Sequence, residues 1–425
     1  MIYNNQNDQV NNYEKIEKIG TGQFSTVYKV RKLTDGNIYA MKVIEKRPES
    51  ETEEQKKQIN REINNLIKCY HWEKNYNTVC LFDNFETKDQ YILIFNYCDT
   101  TLEKYINDNY PNKRMPLEKI KLLFLELNQG FKNLYKENVI HRDIKINNIL
   151  IEYSFGDKEN IIPRLADFGI SRENDTSTNP MTRSISCLLL SAPEILANGK
   201  DYSFASDLWS IGVLLYKLAF GKYPFEGDGP VELYMKIMTG PRNFEKSGDN
   251  NFDDLINKLL NKDKEKRIKY EEYFNHPFFK FEEPKSIINF NKKYNYNISS
   301  YTREFRTTNE NGNILLKALS DVDFINLKEL NMQSCNIYDL TPLTNDIFKN
   351  LIFLNLQYNY ISNLDPLKNI KFLSIRKIYF GSNKIADISP LEKIPFKCLK
   401  KLGLGNNPLI WDKDCERIYN SIIST

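Results

Sequence analysis

The chain has 425 residues, of which 41% are hydrophobic and 27% are charged, a composition typical of a globular protein with a buried core. Because this length exceeds what one ordinary core holds, we expect two or more domains. The formal net charge of +3 provides no bulk attraction to nucleic acid or to an anionic membrane surface. From the bulk charge we therefore expect no nucleic-acid partner; local charged patches are a separate question.

The cysteines and the apolar stretches indicate the compartment. The seven cysteines are scattered and contain no C-x-x-C pair, which favours free thiols in a reducing compartment. Residues 1–12 are polar and Asn-rich, so we expect a flexible N-terminus rather than a signal peptide. The apolar stretch 208–220 is shorter than the roughly 20 residues that a membrane span needs, and it predicts a buried helix. We expect no membrane span, and a cytoplasmic or nuclear location.

Short strand-forming runs follow residue 13, and an Asp-Gly turn separates two of them, which predicts β-hairpins. The glycine-rich sequence GTGQFSTV (residues 20–27) joins the first two runs, and glycines there let backbone amides approach phosphate groups. The run Tyr39–Val43 contains Lys42, and its residues alternate as those of a strand do. Glu62 begins a stretch with apolar residues on one helical face, which predicts a helix.

The sequence from residue 116 to residue 134 has apolar residues at helical spacing. It leads to HRDIKINNIL (residues 141–150), and ADFG follows at residues 166–169. If the fold brings Asp143, Asn148 and Asp167 together, they form a proton acceptor beside a metal site. That combination is the chemistry of phosphoryl transfer.

These motifs, in this order, resemble the eukaryotic Ser/Thr protein kinase domain. The resemblance implies an α+β, bilobal kinase fold over residues 13–280, with an N-lobe at 13–98 and a C-lobe at 99–280, and it implies ATP and Mg²⁺ as ligands. Asp143 would accept the proton of the substrate hydroxyl, while Asn148 and Asp167 would hold Mg²⁺. Lys145 would contact the γ-phosphate, a position that favours Ser/Thr over Tyr specificity.

The resemblance also assigns the nucleotide-binding residues. Lys42, paired with Glu62, would contact the α- and β-phosphates; the alternatives are a solvated strand lysine and a surface glutamate on a helix. Phe95 would occupy the gatekeeper position, and residues 96–98 would form the hinge that receives adenine. The full set expected around ATP is Gly20, Gly22, Val27, Ala40, Lys42, Glu62, Phe95, Asn96 and Cys98.

A polar segment rich in Ser and Thr follows Gly169 and resembles an activation segment that ends at SAPE (residues 191–194). A phosphate on Thr182 or Ser184 would pair with Arg142 and order this segment; alternatively, both are ordinary polar loop residues. By the same resemblance, the structural supports of the catalytic loop and of the SAPE sequence are Asp207 and an ion pair between Glu194 and Arg267.

One departure concerns the residues before SAPE, where kinases commonly carry Gly-Thr and this chain carries Ser186-Cys187. The usual threonine hydroxyl bridges the catalytic aspartate and the loop lysine, and a thiol is a poor hydrogen-bond donor. The alternative to an active kinase is therefore a nucleotide-binding pseudokinase scaffold that acts through the rest of the chain.

The C-terminal third has an internal repeat. The same apolar pattern begins at intervals of 24 residues, at Leu327, Leu351, Ile375 and Leu399. The pattern resembles leucine-rich repeats, which stack because one unit cannot bury its apolar face alone.

We expect an α/β leucine-rich-repeat solenoid with caps over residues 313–425, after a linker at 281–312. Strand side chains alternate, so the residues between the leucines would form a concave face for a protein partner, or else an uncommitted solvent-facing sheet. These residues include Glu329, Phe353, Lys377, Tyr379 and Lys401.

Overall fold

The computed structural model divides the chain into two compact units, Met1–Lys280 and Phe281–Thr425. The residues that the structure describes are 10, 12–21, 25–34, 36–46, 77–153, 158, 161–166, 185–198, 202–240, 243–280, 283–370, 372, 374–394, 396 and 399–423. The predictions for the flexible N-terminus lie almost wholly outside these residues. Predictions for six further residues also fall outside the described part of the chain: Gly22, Glu62, Asp167, Thr182, Ser184 and, for its side chain, Cys187.

The first unit begins with a five-stranded antiparallel sheet in the order β1-β2-β3-β5-β4. Val30, Met41 and Ile94 are almost fully buried on one face, because alternate side chains of a strand point to the same side. Its strands are β1 (Tyr13–Thr21), β2 (Ser25–Lys32), β3 (Ile38–Glu45), β4 (Leu81–Glu86) and β5 (Gln90–Asn96).

The rest of the first unit is mainly helical. Within the described residues it contains α1 (Leu102–Asn109), α2 (Leu117–Lys136), α3 (Ile185–Leu190), α4 (Pro193–Asn198), α5 (Phe204–Phe220), α6 (Pro230–Met238), α7 (Asn250–Leu259) and α8 (Tyr270–Phe274).

Helices α2 and α5 form the centre of this core. The apolar stripe of α2, including Phe124, Leu127 and Phe131, is fully buried, as its helical spacing predicts. Most of α5 is buried as well, including Trp209, so the predicted buried helix at 208–220 is confirmed. The helix ends at Gly221, whose φ of +71° is a left-handed conformation that glycine adopts without a steric penalty.

A small sheet connects the two parts of the first unit. It comprises β6 (Thr100–Thr101), β7 (Ile149–Tyr153) and β8 (Ile161–Leu165), and β7 pairs with β8 as an antiparallel hairpin. Thr78 forms a parallel bridge with Leu165, and β4 begins three residues later, at Leu81. Gly130 allows this close approach, because a Cβ there would lie 2.9 Å from the carbonyl oxygen of Asn77.

The second unit is a parallel five-stranded sheet in the order β13-β12-β11-β10-β9. Leu330, Leu354, Ile378 and Leu402 are aligned across the strands, which is the register that the 24-residue period predicts. The strands are β9 (Glu304–Arg306), β10 (Glu329–Asn331), β11 (Phe353–Asn355), β12 (Lys377–Tyr379) and β13 (Lys401–Gly403).

Helices and 3₁₀ turns complete the second unit. The helices are α9 (Lys285–Tyr294), α10 (Gly312–Ser320), α11 (Ser389–Glu392) and α12 (Lys413–Ile423). The 3₁₀ turns are Thr341–Thr344, Asp346–Phe348 and Asp365–Asn369. Helix α12 buries Cys415, Ile418 and Ile422 in the core, as expected of a C-terminal cap.

The predicted linker at 281–312 is wrong for most of its length. Helix α9 buries Ile287 and Phe290 in the core of the second unit, and β9 pairs in parallel with β10. The 24-residue period does not reveal this strand, because Phe305 aligns with Leu330 at a separation of 25 residues. The second unit therefore begins before residue 313.

Asparagine side chains satisfy the backbone between successive strands of the second unit. The Oδ1 atom of Asn359 accepts hydrogen bonds from the backbone N–H groups of Cys335 and Ile337, both at 2.9 Å. Its Nδ2 donates to the carbonyl oxygens of Met332 and Leu356. Asn383 and Asn407 make equivalent bonds one and two periods later. In the part of the chain that the structure describes, no helix has the length and apolar character to cross a bilayer.

Candidate active site

Helix α5 fixes the backbone of the loop His141–Asn148. Asp207, in the first turn of that helix, accepts hydrogen bonds from the backbone N–H groups of His141 at 2.8 Å and Arg142 at 2.9 Å. Asp207 is 2% exposed, and hydrogen bonds to an ionised carboxylate are stronger than neutral ones. The supporting role predicted for Asp207 therefore has a direct geometric basis.

Arg142 has a φ of +67°, a left-handed conformation that is uncommon for a residue with a branched or long side chain. The two bonds to Asp207 offset the cost of this conformation. The Arg142 guanidinium lies 5.8 Å from the centroid of the Tyr202 ring. Thr182 and Ser184, the residues predicted to bring a phosphate to Arg142, lie outside the described part of the chain.

The three catalytic residues predicted in this loop are brought together around one carboxylate. Lys145 Nζ lies 2.9 Å from Asp143 Oδ2, and Asn148 Nδ2 donates to both the carbonyl oxygen and Oδ2 of Asp143 at 2.9 Å. Asp143 is 6% exposed. The carboxylate is therefore fixed in orientation by two donors, as a proton acceptor in phosphoryl transfer needs to be.

The Asn148 side chain has a further property. Its Nδ2 group bonds to Asp143, so its Oδ1 atom is directed away from that residue and has the amide-oxygen chemistry that Mg²⁺ accepts. The backbone carbonyl of Asn148 accepts a hydrogen bond from Ala166 N at 2.9 Å. This bond positions the residue before Asp167, the other predicted metal ligand, which lies outside the described residues.

A buried ion pair anchors the SAPE sequence. The Arg267 guanidinium donates to both carboxylate oxygens of Glu194, at 2.7 and 2.9 Å, and to the carbonyl oxygens of Asn261 and Ala205. The Arg267 side chain is fully buried and that of Glu194 is 8% exposed. This two-point geometry is strong and orientation-specific, and it is the pairing that the sequence predicts.

A cavity of about 450 Å³ lies between the five-stranded sheet and the helical part of the first unit, and Leu150 and Ala166 of the two catalytic motifs line it. This volume falls in the usual range for small-molecule sites. Seven of the predicted nucleotide-binding residues line it, and they are Gly20, Val27, Ala40, Lys42, Phe95, Asn96 and Cys98. Strand pairing places Val27 opposite Lys42 and Ala40 opposite Phe95.

The predicted hinge is fixed by Asn96. Its backbone N–H donates to the carbonyl oxygen of Cys80, while its side-chain Oδ1 accepts from Cys80 N at 2.7 Å. Its Nδ2 lies 3.5 Å from Cys98 Sγ. Burial raises the pKa of the Cys98 thiol to about 12, so this thiol stays protonated at neutral pH and is a weak nucleophile.

Several residues around the cavity are absent from the sequence-based set. Val79, Leu150 and Ala166 line its apolar part, and Lys104 lies at its rim. Leu150 is the last residue of the first catalytic motif and Ala166 is the first residue of the second, and this position is the signal that would have found them. Val79 has no such signal, because it reaches the cavity through the backbone bond from its N–H to Leu165.

The segment before SAPE differs from a simple loop. Residues Ile185–Leu190 form α3, and Leu188 is fully buried in the core. The sequence Ser186-Cys187, which departs from the usual kinase pattern, lies within this helix. The expected activation loop is therefore partly helical at its C-terminal end.

The five predicted concave-face residues all lie on one side of the parallel sheet. Glu329, Phe353 and Lys377 are aligned on neighbouring strands, and Lys401 follows Lys377. Each is more exposed than the leucine or isoleucine next to it. Burial raises the pKa of the Glu329 carboxyl, with Arg303 opposing the shift.

Comparisons with known proteins agree with this geometry. A family model described as the protein kinase domain matches residues 13–279. Serine/threonine-protein kinase 36 from Mus musculus is 30% identical over 266 residues, which are 63% of this chain. Serine/threonine-protein kinase TIO from Arabidopsis thaliana is 30% identical over 271 residues, or 64% of the chain. The chain spans 19% of the length of each relative.

Proposed function

Because the chain belongs to the protein kinase family, as the match over residues 13–279 establishes, we propose that it is a serine/threonine protein kinase. It transfers the γ-phosphoryl group of ATP to hydroxyl groups of protein substrates. The observation that carries this proposal is the Asp143 carboxylate, which is oriented by Lys145 and Asn148 beside a nucleotide-sized cavity.

In the proposed reaction, the substrate hydroxyl oxygen forms a bond to the γ-phosphorus while the bond from that phosphorus to the β,γ-bridging oxygen breaks. The hydroxyl proton moves to the Asp143 carboxylate. Lys145, 2.9 Å from that carboxylate, lies where its charge would stabilise the transferring phosphoryl group. Lys42, on the cavity wall, would hold the α- and β-phosphates. Catalysis of this kind is mostly positioning and charge stabilisation.

Magnesium belongs to the same proposal. The Oδ1 atom of Asn148 fits an oxygen-preferring cation, because the other end of its amide is bound to Asp143. Asn148, together with Asp167, would hold the ion. When bound, Mg²⁺ would neutralise negative charge on the phosphates. The described residues contribute the orientation of the Asn148 amide.

The test is transfer of radiolabelled phosphate from ATP to peptides that contain Ser, Thr or Tyr as the only acceptor. We expect labelling of the Ser and Thr peptides by the wild-type chain with magnesium, and its loss in Asp167→Ala. Equal labelling by wild type and variant would contradict the proposed enzyme. If neither protein transfers phosphate but both bind ATP, the chain is a pseudokinase scaffold.

The second unit contributes partner or substrate recruitment in this proposal, as a leucine-rich-repeat module. The 24-residue register of β10 to β13 and the buried asparagines support it, because each strand stacks on the next through equivalent contacts. Removing residues 281–425 tests both recruitment and inhibition in cis. Loss of activity on a protein substrate but not on a short peptide would support recruitment, whereas higher activity on both would indicate inhibition.

A reducing location, the cytoplasm or the nucleus, is also proposed. The described cysteines Cys80, Cys98, Cys335 and Cys415 are free thiols, and structural disulfides are rare in reducing compartments. Fluorescence microscopy of the tagged chain tests this location.

A further inference from the structure

Charge is distributed unevenly along the parallel sheet. For each strand, we count the charges on its outward-facing residues and on the residue just before the strand. On β9 and β10 these positions carry three cations and two carboxylates, and on β12 and β13 they carry four cations and no carboxylate. The first group is Arg303, Glu304, Arg306, Lys328 and Glu329, and the second is Arg376, Lys377, Lys400 and Lys401.

Backbone pairing brings the four cations of the second group together. Lys400 N donates to the carbonyl oxygen of Arg376 at 2.8 Å, and Lys377 is aligned with Lys401. Because neighbouring strands lie about 4.8 Å apart, the four side chains leave the backbone within a patch two strands wide. We call Arg376, Lys377, Lys400 and Lys401 the basic patch.

The basic patch is partly exposed. Lys400 and Lys401 are exposed, whereas Arg376 and Lys377 are half-buried. The Nε atom of Arg376 is buried, so the accessible positive charge of the patch is carried mainly by Lys400 and Lys401.

Two aromatic rings adjoin the basic patch. The rings of Phe353 and Tyr379 have centroids 5.8 Å apart, and Lys401 Nζ lies 5.6 Å from the Tyr379 ring. Gly403 leaves room for Tyr379, because a Cβ there would lie 2.7 Å from its Cδ1 atom. The face therefore combines clustered cations with an apolar surface that a side chain of a peptide could contact.

The other end of the face limits which anionic ligand fits. Glu304 and Glu329 lie on the neighbouring strands β9 and β10. The Glu304 carboxylate is 2.9 Å from Arg306, and the Glu329 carboxylate is 3.8 Å from Arg303. A nucleic acid strand running along the sheet would bring evenly spaced phosphates against these carboxylates. A peptide carries its charges at chosen positions, so it can place carboxylates on the basic patch alone.

We propose that the basic patch and its two aromatic rings bind an acidic peptide segment of a protein partner, with carboxylates against the cations and an apolar side chain against Phe353 and Tyr379. This inference rests on the proposed role of the second unit in partner binding. It specifies the chemistry of the partner, since complementary charge fixes both specificity and orientation at such surfaces.

The test is fluorescence anisotropy of the full chain, without ATP, with a fluorescein-labelled peptide in which one Phe precedes a run of Glu. We expect binding that weakens with salt, and at least about tenfold weaker binding when Gln replaces Glu. Lys377→Glu with Lys401→Glu should weaken binding of the Glu peptide by a similar factor. The matched control is Lys317→Glu with Lys393→Glu, two exposed lysines on or beside helices, and it should leave binding unchanged.

Lys401→Gln alone, expected to weaken binding about threefold, serves as the readout if the double reversal does not fold. Equal affinity for the Glu and Gln peptides, or no effect of the substitutions in folded protein, would overturn the proposal. Tighter binding of a uridine oligonucleotide than of the Glu peptide would overturn it in favour of nucleic acid. Phosphate transfer to a short peptide is measured on the same samples, so a failure of this inference is distinguishable from a failure of the kinase proposal.

Discussion

The two units differ in how their polar side chains are bonded. The polar contacts that anchor the catalytic loop and the SAPE sequence are unique and join distant parts of the chain: Asp207 binds backbone groups 65 and 66 residues away, and Arg267 binds Glu194 across 73 residues. In the second unit, Asn359, Asn383 and Asn407 repeat one contact at a fixed spacing. A single change should therefore damage the first unit as a whole and the second unit locally.

The largest effect is expected at Arg267. Replacing it in Arg267→Met leaves the Glu194 carboxylate buried without its partner, which should lower the free energy of unfolding of the first unit by about 3 to 5 kcal/mol. The measurement is urea unfolding of the full chain, followed by tryptophan fluorescence, because Trp209 lies 5.1 Å from the guanidinium.

The control for this prediction is Arg267→Met with Glu194→Gln, which removes the uncompensated charge and should recover part of the loss. A loss in the single variant below about 1 kcal/mol, the size of a surface ion pair, would contradict the structural role of the pair.

A smaller and more local effect is expected at Asn359. Asn359→Ala removes the acceptor for the backbone N–H groups of Cys335 and Ile337, and leaving these buried groups unsatisfied should cost about 2 to 3 kcal/mol. Hydrogen exchange should accelerate at these two amides while the amides of α5 keep their protection.

Asn407 provides the comparison within the repeat. Its equivalent bonds are only partly buried, so Asn407→Ala should cost about 1 kcal/mol. Equal losses at the two positions, or faster exchange throughout α5, would contradict the local character of the second unit.

The smallest effect is expected at Tyr358 and has the opposite sign. Tyr358 has a φ of +55° and is 56% exposed, whereas Ser334, Ser382 and Asn406 occupy the equivalent turn positions. Because asparagine tolerates the left-handed conformation better than tyrosine, Tyr358→Asn should stabilise the second unit by about 1 kcal/mol.

Thermal unfolding measures this gain. Tyr360→Asn is the matched control, because Tyr360 is similarly exposed at 50% but does not have a positive φ. A gain of the same size in both variants would show that loss of an exposed aromatic ring, rather than relief of the backbone, is responsible.

The sequence predicts some parts of the fold better than others. Motifs with fixed spacing, such as Asp143 and Asn148, and periodic leucines, such as Leu330 and Leu354, identify the catalytic loop and the parallel strands, because local spacing carries the geometry. The sequence predicts a linker rather than folded structure at residues 285–306, and this error has a physical reason. Helix α9 and β9 are specified by packing against β10 rather than by a local period, and the separation from Phe305 to Leu330 is one residue longer than the repeat.

The cavity shows the same limit. Glycine and lysine motifs identify Gly20 and Lys42, but Val79 lines the cavity only because Leu165 pairs with it from another strand. Such contacts depend on tertiary pairing, which a motif does not contain. The helix at Ile185–Leu190 was missed because its polar and apolar residues show no helical period that distinguishes it from a loop.

The measurement that tests the central claim most directly is single-turnover phosphate transfer by Asp143→Asn, with ATP binding measured on the same sample. The Asp143 carboxylate is oriented by Lys145 and Asn148, and an amide in its place cannot accept the hydroxyl proton. We expect unchanged ATP affinity and a rate lower by about 10² to 10⁴. A rate within about twofold of wild type, where general-base loss should cost at least 10²-fold, would contradict the assignment of this loop as the catalytic centre.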